Sequence, residues 1–461
     1  MNAELKMEVF CESDEENPFH DIHMGRIKFR NPPVIVGSGP SGLFSALIFA
    51  EAGCRSIILE RGEQVEKRIM SVKRFQNEGV FSARGNFCFG EGGAGTFSDG
   101  KLTCGKNSPL IRYIFKQLVR FGAPSDILYD AHPHIGSDNL IIVVKNIRRY
   151  LEERGTRFLF EKTFTGFRKG GEREHLVVEI DDGSLINTDH ILLAIGHSAR
   201  DTYRMLHSMG MYMTPKPFAV GVRIEHPQEL INKIQYGKHM NLPPAEYKLT
   251  AKSGERGVWS FCMCPGGILL PTNSREGHLS INGMSRFKRD TPYANAAIVV
   301  NVKKNDFFGG SPLDGLCFQE EIERRVFAAG GGNYMMPAQR LTDFMDGKRS
   351  NGKIDASYLP GVKSARVDLL LPDFITRSIS ESIGVFNRKM NGFMCREAVV
   401  LGAETKTSSA VVINRNEDFE SISNKGIYPI GEGAGYAGGI VSAALDGIKT
   451  SRGILSQLVD G

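Results

Sequence analysis

Three glycines and one acid have the types and spacing that point most directly to chemistry. Gly37, Gly39 and Gly42 of VGSGPSG follow the apolar run VIV and open an amphipathic stretch. Glu60 follows them by about 20 residues, the spacing of a dinucleotide-binding turn. The chemistry is specific to each position. Gly37 permits the tight turn, Gly39 lets backbone approach a pyrophosphate, and Gly42 lets helix pack on strand, while the helix start offers free N–H groups to phosphate. Ser38, Pro40 and Ser41 lie between the glycines, and Glu60 and Arg61 end the next apolar run, ILER. Glu60 is expected to accept both ribose hydroxyls and to repel a 2′-phosphate, which disfavours NADP.

A flavin needs further backbone along its ribityl chain and ring. LLAIG ends an apolar strand at Ala194 and Gly196. GIYPIGEGAGYAGGI supplies Gly431, then Glu432 for a ribityl hydroxyl, then Gly438, Gly439 and Ile440, where a helix start would point N–H groups at the pyrimidine end of the flavin. FGEGGAGTFSDGKL places Gly92, Gly93, Ala94, Gly95, Thr96, Ser98, Asp99 and Gly100 in one loop, read as backbone wrapped against pyrophosphate and isoalloxazine. A surface loop is the alternative, and Phe89 and Phe97 argue against it by demanding burial. FAD is the cofactor expected, and no metal.

Flavin chemistry then requires a donor held over N5, a group that handles a proton, and exclusion of water. The candidates are His197 in GHSARD, Arg223 and Glu225 in VGVRIEH, Cys262 and Cys264 in SFCMC, and Lys406 in ETKTSSAV. Each has a structural alternative that the sequence leaves open. His197 is a proton donor or acceptor, or only a backbone partner at a strand end. Strand alternation puts Arg223 and Glu225 on one face, to hold a polar substrate or to form an ion pair. Cys262 and Cys264 fall on one side of an extended strand, for redox or nucleophilic work or for packing.

The elements that must position these groups follow from periodicity. Strand, Gly-rich turn, helix and strand from Val34 to Glu60 make one βαβ unit. Helices are expected within 105–155, then short strands ending in the buried ILLAIG. From about Met213 the runs shorten and alternate, as in an antiparallel sheet, and Lys303–Ser380 reads as a cap with long loops and one helix, FQEEIERRVFAAGGG. The fold expected is α/β: a Rossmann-like FAD-binding domain built from discontinuous segments, with an inserted mixed α/β substrate domain. Its divisions are an amino-terminal extension at 1–30, the FAD domain at 31–212 and 396–461, and the insertion at 213–395.

Composition narrows the class. The 461 residues carry 57 basic against 52 acidic side chains, a net charge of +5, with 41% hydrophobic and 24% charged residues. That is the balance of a soluble globular protein of several domains. The eight cysteines show no disulfide framework, and neither a secretory signal nor an apolar run long enough for a membrane span is visible, so a cytoplasmic location is expected. A basic run, KRIMSVKRF at 67–75, is the one feature that would suit RNA, and nucleic acid is not the expected partner.

The motifs GSGPSGL, ILERG, FGEGGAGTFSDGKL, AIGHSARDT, KPFAVGVRIEHP, SFCMCPGG, INGMS and YPIGEGAGYAGGI resemble the bacterial family of FAD-dependent dehydrogenases of unassigned substrate. These are a branch of the two-dinucleotide-domain flavoproteins in the glutathione reductase clan. The likeness runs from about Asn31 to the carboxyl end and implies the fold and FAD. Members usually have ETRTSSPV where this chain has ETKTSSAV, which replaces a fork-shaped guanidinium by Lys406. The function expected is an FAD-dependent oxidoreductase, a dehydrogenase or reductase, transferring hydride between flavin N5 and a small organic substrate. An NAD-dependent dehydrogenase or a flavoprotein acting on RNA are the alternatives. Between Gly196 and Gly426 no second GxGxxG occurs, so an electron donor or acceptor must bind transiently, and the sequence does not name it.

Overall fold

The computed structural model describes residues 17–19, 29–171, 175–239 and 242–460, so most of the expected 1–30 extension lies outside the described residues. A five-stranded parallel sheet forms the base. Its order is Ile427–Pro429, Ile191–Leu193, Val34–Val36, Ile57–Leu59, Arg157–Leu159. The central strands are apolar throughout and fully buried, as expected of a parallel sheet covered on both faces. The last strand in sequence pairs with Ile191–Leu193, which makes this sheet from discontinuous segments.

Helix Pro40–Glu51 starts at the glycine turn, with Gly39 extended at its cap and Pro40 in the first turn, where a missing N–H costs nothing. It packs against the carboxyl-terminal helix Ile440–Asp460. The approach is close: a Cβ on Gly447 would overlap the Ser41 carbonyl oxygen. Helices Leu110–Arg120 and Ser137–Glu153 fill the expected helical region. Strands Phe164–Lys169, Leu176–Ile180 and Leu185–Thr188 form a small antiparallel sheet.

The chain leaves this base along Met213–Pro215 and returns along Val411–Ile413, and these two strands pair antiparallel. Between them a seven-stranded sheet has the order Thr250–Ser253, Arg256–Cys264, Tyr293–Val302, Phe218–Pro227, Val399–Glu404, Met336–Arg340, Val362–Ser364, antiparallel except for the last pair. Val399–Glu404 lies beyond the boundary expected at 395. It belongs to this sheet because its buried VVLGAE run supplies the strand between Phe218–Pro227 and Met336–Arg340.

The Lys303–Ser380 stretch also departs from expectation. It holds helix Asp314–Gly330, closed by left-handed Gly331, and it enters a second long helix, Asp373–Lys389. Ile375, Ile379, Ile383 and Phe386 of that second helix form a fully buried stripe. Serines and arginines between those positions dilute the pattern in sequence. Among the described residues no helix is long and apolar enough to cross a membrane.

Candidate active site

The glycine turn is fixed by contact. Gly37 has φ 110°, and a Cβ there would overlap the Ala194 carbonyl oxygen on the adjoining strand end. A Cβ on Gly42 would overlap the Gly37 carbonyl oxygen. The first helical hydrogen bond runs from Leu43 N–H to Gly39 O at 2.9 Å, which leaves the N–H groups of Ser41 and Gly42 without acceptors in the helix. The Ser41 hydroxyl is buried and has no partner among the described residues.

Ser41 borders a cavity of about 430 Å³ that also reaches Gly37, Gly39 and Pro40. Gly196, Gly438 and Gly439 border the same cavity, and a Cβ on any of them would meet no protein atom within 4 Å. An orphan hydroxyl, free helix N–H groups and space beside glycine backbone are the donor set and cradle that a diphosphate and flavin require, so these residues fit FAD.

The Gly-rich loop supplies the opposite wall through Gly93, Ala94, Gly95, Ser98, Asp99 and Gly100. Gly93–Phe97 is one tight helical turn. Gly92 and Thr96, expected at the cofactor, face away instead. A Cβ on Gly92 would overlap the Thr96 hydroxyl and crowd Val144, and Thr96 donates to the Glu91 carbonyl oxygen. They seat the loop on helix Ser137–Glu153.

Arg68 holds the loop from beneath. Its guanidinium is fully buried and donates to the carbonyls of Asn86, Glu91 and Gly93 at 2.8–2.9 Å, with its plane 4.8 Å from the Phe97 ring centre. Burial lowers its pKa to about 10. Arg68 lies in the basic run at 67–75, so that run is not a continuous exposed surface. The signal was present in sequence, since Arg68 falls on one helical stripe with Val65, Val72 and Phe75.

Glu60 corrects the expectation more sharply. Ser38 N–H and Ser38 hydroxyl donate to one carboxylate oxygen at 2.9 and 2.7 Å, and Gly62 N–H and Gly90 N–H to the other at 2.8 and 3.2 Å. Four donors fill a carboxylate. Glu60 borders the cavity, but its carboxylate fastens the turn to the Gly-rich loop and has no spare acceptor for ribose. Ser38 is thereby turned from the cavity. Arg61 borders it and bonds Asp201, 3.0 Å from both carboxylate oxygens. Gly431 also lies off the wall: its N–H donates to Asp446 at 2.7 Å and a Cβ would sit 2.8 Å from that of Ser41.

Ala194, His197, Glu432 and Ile440 border the cavity, with His197 Nδ1 3.1 Å from a Glu432 carboxylate oxygen. The inserted unit adds Phe261 and Cys262 of its sheet, Asn282 of the separate hairpin Ile268–Pro271/Ile281–Met284, and Lys406 just after strand Val399–Glu404. Lys406 is buried, donates to the carbonyl oxygen of Thr272 and, at 3.2 Å, to Ser274 Oγ, and lies 3.5 Å from Cys88 Sγ. Cys88, which no spacing signal singled out, borders the cavity as well.

Arg223, Glu225 and Cys264 do not border the cavity. Arg223 is fully buried and spends its donors on Glu404 at 3.0 Å, Asn295 at 2.6 Å and the Cys262 carbonyl oxygen at 3.3 Å. Its ionic partner is Glu404 and not Glu225. Glu225 accepts from the Ser357 N–H at 2.8 Å and from the Ser357 hydroxyl, and burial raises its pKa to about 7. Both side chains brace the sheet behind the cavity, so neither touches a substrate held in it. At the β-bulge Cys262 reaches the cavity, and Cys264 is buried behind it.

The family described as "FAD-dependent protein, C-terminal domain-like" matches residues 217–407. A Clostridium beijerinckii protein, recorded as uncharacterized, is 44% identical over 452 residues, which is 96% of this chain and 84% of that one. Among solved structures, CtdE in complex with FAD is similar at 10% identity and TM-score 0.38, over 94% of this chain and 85% of that one. The halogenase PltM in complex with phloroglucinol and FAD is similar at 9% identity and TM-score 0.42, over 94% and 70%. The chain belongs to one family with this Clostridium beijerinckii protein, its residues 217–407 match the FAD-dependent C-terminal domain, and FAD is its cofactor.

Proposed function

We propose that the protein is an oxidoreductase that moves hydride between the N5 of its FAD and a small organic substrate held under the inserted sheet. The observation that carries this is a single cavity joining Gly37, Gly39, Pro40 and Ser41 of the dinucleotide turn to Phe261, Cys262, Asn282 and Lys406 of the inserted unit. A cofactor seated on the turn then has one end against groups of both sheets. The bound flavin supplies the electron transfer, and the chain supplies position, charge and a proton. Glu432 orients His197 through Nδ1, which makes Nε2 the atom for proton exchange. Lys406 brings a positive charge to this end of the cavity, where Lys101 is paired with Asp99 at 2.9 Å, and that charge favours an anionic substrate and the negative charge of reduced flavin. A place among the two-dinucleotide-domain flavoproteins belongs to the same proposal, with a nicotinamide or other carrier docking transiently.

The test is anaerobic mixing of purified holoprotein with NADH, NADPH and a panel of small carboxylic and hydroxy acids while flavin absorbance is followed. Bleaching by a panel acid marks a dehydrogenase. Bleaching by a nicotinamide, then recovery on adding an acceptor, marks a reductase. A protein that stays oxidised with every donor, although dithionite bleaches it, overturns the proposal.

A further inference from the structure

Two of the eight cysteines sit at a backbone irregularity in the cavity wall, and the proposed reaction uses neither. Strand Arg256–Cys264 keeps regular antiparallel register with Tyr293–Val302 from Val258 opposite Val300 to Phe261 opposite Ala297, then resumes at Cys264 opposite Asn295. Three steps on one strand therefore face two on the other, which is a β-bulge. Cys262 carries the distortion with φ 43°, a conformation disfavoured for any residue with a Cβ. A regular strand would turn Phe261 and Cys262 to opposite faces, yet both border the cavity. The strained backbone thus spends stability on aiming one thiol.

The second thiol backs the first. Cys264 is fully buried, and its Sγ donates to the Cys262 carbonyl oxygen at 3.4 Å. Two cations flank them. Arg223 donates to the Cys262 carbonyl oxygen and Lys101 to that of Met263. The Cys264 thiol, then the charges of Lys101 and Arg223, hold the Cys262 thiol well below its ordinary range against burial and Asp99, while Cys264 is pushed up by Cys262 and burial. These directions favour the anion on the sulfur at the cavity and the proton on the one behind it, the division of labour of an exchanging dithiol.

We propose that Cys262 and Cys264 form a second two-electron centre, a dithiol that closes to a disulfide by passing its electrons to FAD and reopens when reduced flavin returns them. In the closing direction the Cys264 S–H bond breaks and the Cys262–Cys264 S–S bond forms. The electron pair and the Cys264 proton end on the isoalloxazine as N5–H of its anionic reduced form. Thiolate, thiol and oxidised flavin become disulfide and singly negative reduced flavin, with no further reactant. The inference rests on the cofactor and the bulge, and is independent of which organic substrate enters.

The test counts electrons and thiols in the holoprotein. After oxidation with ferricyanide and removal of excess, anaerobic dithionite titration of the wild type should take four electrons per flavin. Thiols counted in denaturant should be two fewer in the oxidised than in the reduced sample, with the missing pair mapped by peptide analysis to Cys262 and Cys264. Cys262→Ser and Cys264→Ser should each take two electrons with no change in thiol count. Should Cys264→Ser fail to hold FAD, the wild-type counts and Cys262→Ser still decide. Two-electron uptake by the wild type with all thiols retained, or a disulfide mapped to Cys88, overturns the inference. Four-electron uptake without bleaching by any organic or nicotinamide donor keeps this inference and overturns the proposed reaction, and two-electron uptake with bleaching does the reverse.

Discussion

Two glycines that look alike in sequence do different work. Gly37 is required by φ 110° and by the Ala194 carbonyl, whereas Gly438 faces open space on the cavity wall. Gly37→Ala should therefore lower the melting temperature of the FAD-free protein. Gly438→Val should leave it unchanged and raise the FAD dissociation constant tenfold or more, about 1.4 kcal/mol. Thermal unfolding and FAD titration on both variants check this, and an unchanged FAD affinity in Gly438→Val would remove that glycine from the cradle.

Glu225 gives the second prediction at this scale. Burial raises its pKa from 4.5 to about 7, against hydrogen bonds from Ser357 and the charge of Arg223. The folded state therefore binds the proton more tightly than the unfolded state. The stability it contributes is fully present below about pH 4.5 and is lost as pH rises to about 7. Glu225→Gln keeps one acceptor oxygen for the Ser357 N–H, offers an N–H that the Ser357 hydroxyl can accept, and removes the titration. Wild-type stability relative to this variant should fall by up to about 3 kcal/mol between pH 4.5 and 7 and stay level above, measured by urea unfolding. The glycines were legible in sequence because local geometry alone demands them. The roles of Arg223 and Glu225 were not, because their partners Glu404 and Ser357 lie 181 and 132 residues away.

Between elements, the base and the inserted unit are tied by a buried ion pair that sequence spacing does not reveal. Arg200, at the start of helix Arg200–Ser208, donates to both oxygens of Glu323 on helix Asp314–Gly330 at 2.6 and 2.8 Å. Arg200 and Lys406 hold the Glu323 carboxyl down at about 2, against burial, so the pair is charged at every working pH. Removing one partner strands the other charge in the interior. Glu323→Ala should cost about 3–5 kcal/mol, and Arg200→Met with Glu323→Leu should recover most of it. A loss below 1 kcal/mol in the single variant would show that water reaches the site. The central parallel strands were legible because each is apolar throughout, and so was the helix start at Pro40. The bulge at Cys262 and the strand Val399–Glu404 were not, since register and sheet order depend on residues from distant segments.

For the whole molecule, the cavity is what the base and the inserted unit share. The base contributes the turn, the Gly-rich loop and the start of helix Ile440–Asp460, and the inserted unit contributes Phe261, Cys262 and Lys406. A ligand that binds only the folded state stabilises it by RT ln(1 + [L]/Kd), about 2.7 kcal/mol at a hundredfold excess over Kd. Because the cavity wall comes from both units, that stabilisation should not be confined to the dinucleotide turn. Adding FAD to the apoprotein should slow amide exchange in the loop at 93–101 and also in the strand at 256–264, roughly 160 residues further along the chain. Protection limited to the loop and the turn would mean that the inserted sheet stands clear of the cofactor. The substrate would then bind to a flavin covered from one side only, with water free to reach N5. Protection of both would place the flavin between the two units, where closing the sheets on it excludes water from the hydride path.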